Sequence, residues 1–137
     1  MKQLKFFLQE SNRDNTVKIF LNDIIRSNHL VADEKFLNTY YKLLKYDIKF
    51  MFWSNTNGNK YIELEGTSNK STISSDILFE GISKIKYTFI FKNLNFKNES
   101  SIIFDKNTIN GITDIIVENC TGKSFLKDVK NIKLKIN

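Results

Sequence analysis

The last third of the chain repeats a short pattern. Asn93-Leu94-Asn95-Phe96-Lys97, Asp114-Ile115-Ile116-Val117-Glu118 and Asn131-Ile132-Lys133-Leu134-Lys135 each read polar, apolar, any, apolar, charged. Apolar side chains two residues apart share one face of a strand. Successive copies lie about 21 and then about 17 residues apart, spacings that short β-repeats use. The pattern predicts β-sheet in the C-terminal half, burying Ile, Leu and Phe.

Upstream the period changes twice. Leu4 to Leu8 alternates as a strand, and Ser11-Asn12-Arg13-Asp14-Asn15 supplies oxygens that can cap a helix. Val17, Phe20, Leu21, Ile24 and Ile25 then recur at helical spacing, predicting a helix that stops near Asn28. Asp33 and Glu34 open a second helix with the stripe Phe36, Leu37, Tyr40, Leu43 and Leu44, and Lys42 and Lys45 lie near its C-terminal end. The short link between the two predicts an antiparallel αα-hairpin. Ile48, Phe50 and Phe52 next alternate with Lys49, Met51 and Trp53. Asn55 to Asn59 tolerates tight-turn backbone, and Tyr61, Glu63 and Glu65 alternate with Ile62 and Leu64 beyond it. A β-hairpin from Asp47 to Glu65 follows. Gly66 to Ser75 reads as a polar loop. Strands are expected at Ile77 to Phe79, Lys84 to Phe96 with a break at Asn93, Ser101 to Phe104, Thr113 to Glu118 and Asn131 to Ile136. Asn110-Gly111 and Thr121-Gly122 punctuate them.

The stretch Gly111-Ile112-Thr113-Asp114-Ile115-Ile116-Val117-Glu118-Asn119-Cys120 resembles one coil of a right-handed parallel β-helix, as in pectin-degrading enzymes. The resemblance spans about fifty C-terminal residues. It implies apolar residues stacked inward and an Asn at the turn after each strand. Those enzymes carry an acidic or basic catalytic cluster that this chain lacks, so no catalytic residue is carried over. An ordinary antiparallel sheet gives the same alternation. The expected fold is therefore α+β over one domain, residues 1–137, with two N-terminal helices packed on a largely antiparallel sheet. The alternative is a short C-terminal β-solenoid.

Twelve phenylalanines give such a domain ample core material, and the length needs no disulfide or metal to fold. No run of about 18 apolar residues is present, so no membrane span is expected. The single cysteine, Cys120, suits a reducing cytosol and reads as a structural thiol, since no neighbour supplies a base. The net charge of +6 suggests nucleic acid. Almost all of it is Lys, however, dispersed along the chain, and Arg is confined to Arg13 and Arg26. Arg is the side chain that grips phosphate and guanine with two donors. Codons for Lys, Asn, Ile and Phe are A/T-rich, so a low-GC genome is an alternative to selection as the source of the lysine.

The chemical inventory is thin. His29 is the sole histidine and fits a helix C-terminus. One imidazole and one thiol make neither a triad nor a zinc site without carboxylates. Asp105 with Asp114, or Glu63 with Glu65, could pair as glycosidase carboxylates, but nothing in the sequence desolvates them. Thr121-Gly122-Lys123-Ser124 ends like a phosphate loop and lacks the first glycine. No catalytic residue, metal ligand or cofactor is expected.

Tyr41, Trp53 and Tyr61 stand out instead. Trp53 falls on the hairpin face opposite Phe50 and Phe52, with Tyr61 across from it, and aromatics on a non-core face are typical interface anchors. The expected function is that of a non-catalytic, cytoplasmic, protein-binding inhibitor. An immunity protein or antitoxin neutralising a bacterial toxin would fit, as would a phage-borne inhibitor of host defence. Its partner would be another protein, the toxin or effector, bound through Tyr41, Trp53 and Tyr61. The alternative is a nucleic-acid-binding module using Lys and aromatic residues on the sheet.

Overall fold

The computed structural model describes residues 16–25, 34–68, 70–81, 86–122, 125–126, 129 and 132–136. Its elements are Val17–Phe20 (β1), Leu21–Ile25 (α1), Glu34–Leu44 (α2), Ile48–Ser54 (β2), Lys60–Gly66 (β3), Ser71–Ile73 (β4), Ile77–Glu80 (β5), Tyr87–Lys92 (β6), Leu94–Phe96 (β7), Ile102–Phe104 (β8), Lys106–Ile109 (α3), Ile112–Glu118 (β9) and Lys133–Ile136 (β10).

The chain winds as a coil with three walls. The broad wall has the order β10-β9-β6-β3-β2. A second wall has the order β1-β5-β8, and a third pairs β4 with β7. From β3 to β9, strands next in sequence fall on different walls, and each pairs in parallel with a strand one coil away. Single parallel bridges from Asn95 to Thr121 and from Ile102 to Leu126 carry the third and second walls into the following coil. Antiparallel pairing is confined, among the described residues, to β2 and β3.

Inward rows of apolar side chains hold the coils together. On the broad wall, Phe52, Ile62, Phe89, Ile115 and Leu134 stand in one register, and Phe50, Leu64, Phe91, Val117 and Ile136 in the next. Phe89 is fully buried and meets Phe79 at 4.6 Å and Phe104 at 4.9 Å between ring centroids, joining two walls. Helix α2 closes the β2 end, where Phe36 packs on Phe50 at 5.5 Å and Leu43 is buried. One cluster of buried residues runs from Val17 to Phe125.

The corners explain why the coil can turn so sharply. Asn93 and Asn119 both hold positive φ, 55° and 51°, a conformation Asn tolerates better than other chiral residues. Each ends a strand of the broad wall, and Asn119 donates its side-chain amide to the Asn93 side-chain oxygen at 2.8 Å. At the preceding corner a Cβ on Gly66 would lie 2.1 Å from the Asn93 carbonyl oxygen, so only glycine allows this approach.

Several expectations are corrected. The sheet is not largely antiparallel, and two helices do not pack on it. Of the described residues of the expected first helix, Val17–Phe20 is a strand beside β5 and Leu21–Ile25 is helical. Val17, Ile19, Leu21 and Ile24 are buried, while Phe20 is exposed. Alternation and helical spacing overlap in this segment, and parallel pairing decides between them. The solenoid alternative confined stacking to the C-terminus, whereas parallel strands already include β1 and β3. The polar loop at Gly66 to Ser75 contains β4, with Ile73 buried. The sequence repeat was also out of register. Leu94 and Phe96 belong to the third wall, and Ile115 pairs with Leu134 rather than Ile132. The expected strand Leu4 to Leu8, the cap at Ser11 to Asn15 and His29 lie outside the described residues.

Candidate functional site

The hairpin positions the site. Asn55 accepts backbone amides from Asn57 and Asn59 on its side-chain oxygen, at 3.0 and 2.9 Å, and Gly58 takes φ of 85°. This turn sets Trp53 opposite Tyr61. Both side chains point away from the core on the outer face of the broad wall. Their rings stack with centroids 4.2 Å apart and planes 16° from parallel. Asn55 donates to the Tyr61 hydroxyl at 3.3 Å, and Trp53 donates from Nε1 to Glu63 at 3.1 Å. Trp53 is 38% exposed.

An apolar cleft of about 510 Å³ opens beside this pair. Phe36 and Tyr40 of α2 form one side, Met51, Phe52 and Trp53 the other, with Glu63 at its margin. Tyr41 is 58% exposed and does not line the cleft; its ring meets the edge of Tyr40 at 5.3 Å. The three aromatic residues singled out in the sequence are thus a stacked pair, Trp53 with Tyr61, and an outlier, Tyr41, reached through Tyr40. Phe36 and Tyr40 read in the sequence only as a core stripe, because nothing there shows that α2 stands back from β2.

Glu63 was the least legible member. It looks like an exposed hairpin carboxylate, yet it is 6% exposed. Its oxygens take the Trp53 indole N–H and the Lys92 ammonium, the latter at 3.4 Å, and Lys92 also reaches Glu118 at 3.7 Å. Burial pulls the Lys92 ammonium down, and Glu63, with Glu118 and Glu65, outweighs this and holds it above its ordinary value. Glu63 therefore anchors the indole and is itself neutralised by a partner one coil on. Glu65 lies in register with Lys92.

The other chemical candidates are dispersed. Asp105 caps α3, accepting from the Thr108 amide at 2.8 Å and hydroxyl at 2.6 Å. Asp114 stands on a different wall and takes the Thr88 hydroxyl at 2.5 Å. Cys120 is half-buried, its thiol directed at the Phe91 carbonyl, and burial pushes its pKa up, away from a reactive thiolate. Among the described residues no three His, Cys, Asp or Glu side chains form a metal-sized group.

Among the described residues the lysines do not form a stripe. Across the broad wall Lys49, Glu65, Lys92 and Glu118 follow one another in register, so positive and negative charges alternate. A polar cleft of about 440 Å³ holds Lys60 and Lys86 beside Tyr61, but Asp114 lines it as well, and Lys86 is engaged by the Asn110 carbonyl at 2.8 Å. Among the described residues no helix is long and apolar enough to cross a membrane. The chain matches no family model, no curated protein and no solved structure.

Proposed function

We propose that this chain binds another protein and blocks it, without catalysis of its own. Trp53 and Tyr61 are the anchors, and the cleft between α2 and β2 receives the partner. An immunity protein, an antitoxin or a phage-borne inhibitor of host defence acts in this way, here in the cytosol. The observation that carries the reading is the stacked Trp53–Tyr61 pair, whose Trp53 lines an apolar cleft. Both rings are held before any partner arrives, Trp53 by Glu63 and Tyr61 by Asn55. Pre-ordered aromatics lose little freedom on binding and are the residues that dominate interface energetics. Tyr41, exposed on α2, extends the surface beyond Tyr40.

The experiment immobilises the wild-type chain and Trp53→Ala and exposes both to extract of the host cell. A protein retained by the wild type and lost with Trp53→Ala, at unchanged circular dichroism, is the expected result. Turnover of a substrate by the purified chain, abolished by replacing Glu63 or His29, would overturn the reading.

A further inference from the structure

The opposite edge of the broad wall carries a second, independent feature. Among the described residues β10 is the last strand in the order β10-β9-β6-β3-β2, paired only with β9. Its Leu134 and Ile136 continue the two inward rows. In those rows Ile115 is 0% and Val117 3% exposed, but Leu134 is 42% and Ile136 68% exposed. The outward positions of the same strand are Lys133 and Lys135, both exposed.

We propose that the free edge of β10 accepts an extended strand of a partner protein in which apolar residues alternate with Asp or Glu. Two observations select this occupant. The first is apolar. A strand continuing the coil must cover Leu134 and Ile136, so every second residue is apolar. The second is charge. Lys133 stands beside Asp114, so an acidic residue on its other side alternates the charge along that row, and Lys135, beside Ile116, has no acidic residue in register on β9 and offers its charge to the incoming strand. Opposite charges across neighbouring strands attract, and like charges directly opposite repel.

The same charges argue against a second copy of this chain. A two-fold antiparallel pairing that keeps the apolar side chains on one face sets Leu134 against Leu134 or Ile136. Those registers place Lys133 against Lys135, or Lys135 against itself. Exposed lysine is a known guard of strand edges against such self-pairing.

Two capped synthetic peptides test this, one alternating isoleucine with glutamate and its twin with lysine in place of glutamate. Each is titrated into the isotope-labelled full chain at low salt. The expected result is binding of the acidic peptide, preferred at least roughly tenfold over its twin, with amide shifts and slowed exchange at residues 133–136. Lys133→Glu/Lys135→Glu should invert the preference, and Trp53→Ala should leave it unchanged. Equal binding of the two peptides, or binding of neither, would overturn the proposal. So would a concentration-dependent dimer that Ile136→Pro dissociates, since the edge would then belong to a second copy.

Discussion

Trp53 lies flat on Tyr61, with ring centroids 4.2 Å apart, and each ring is fixed by its own hydrogen bond, to Glu63 and from Asn55. The stack is built into the free chain, because the antiparallel register of β2 and β3 sets these two residues opposite each other. A hairpin that served only the core would have no need of aromatic side chains on its outward face. Here that face is ordered and partly exposed at once, which suits an anchor better than a packing element.

The aromatic centre of the coil should be the costliest place to cut. Phe89 contacts Phe79, Tyr87, Phe91 and Phe104 at 4.6, 5.4, 5.7 and 4.9 Å. Phe89→Ala should lose about 3–5 kcal/mol. Denaturant unfolding measures it, and a midpoint equal to that of the wild type would contradict the inward rows.

The asparagine corner is a second test. Asn119 is left-handed and donates to Asn93, 26 residues earlier. Asn119→Ala should cost about 1–2 kcal/mol, because alanine lacks the short polar side chain whose hydrogen bonds let Asn hold that conformation. Asn119→Gly should recover most of the loss, since glycine adopts it freely. Equal losses for both would show that the side-chain bond, and not the backbone, matters.

How much of this could be read from residues alone depends on how local each contact is. The hairpin was legible because its partner strands flank one Asn-rich turn, and Asn93 was legible as a break. The parallel walls were not. Thr88 meets Asp114 26 residues on, and strands such as β4 and β7 have only three residues. Alternation says that a strand has a buried face, and it says nothing about which strand lies beside it. The site divides in the same way. Trp53 and Tyr61 follow from the hairpin, whereas the burial of Glu63 needs Lys92 from the next coil.

Acid should act through Asp105. Burial alone would raise its pKa, but hydrogen bonds from the Thr108 hydroxyl and from the Thr108, Gly81 and Asn107 amides hold it below its ordinary value. A depressed folded pKa contributes stability that is present above the unfolded value near 3.8 and is lost as pH falls through the folded one. Asp105→Asn should therefore lower stability at neutral pH and flatten its decline below about pH 4. Parallel wild-type and variant profiles in acid would contradict this.

Nucleic acid should bind weakly. With Lys and Glu alternating across the broad wall, few phosphates can be matched at once. Titration with single- and double-stranded DNA and RNA at physiological salt should give dissociation constants no tighter than about 10⁻⁶ M. Much tighter binding would make the Lys60, Tyr61 and Lys86 cleft the functional surface.

Trp53 is the single tryptophan of the chain, so intrinsic fluorescence reads the proposed anchor directly. The decisive measurement is acrylamide quenching of that fluorescence, first in the free chain and then in complex with the protein it captures. Quenching is expected in the free chain, and a blue shift with protection from acrylamide in the complex. A complex in which the Trp53 emission and its quenching stay as they were would contradict the assignment of Trp53 and Tyr61 as the binding surface.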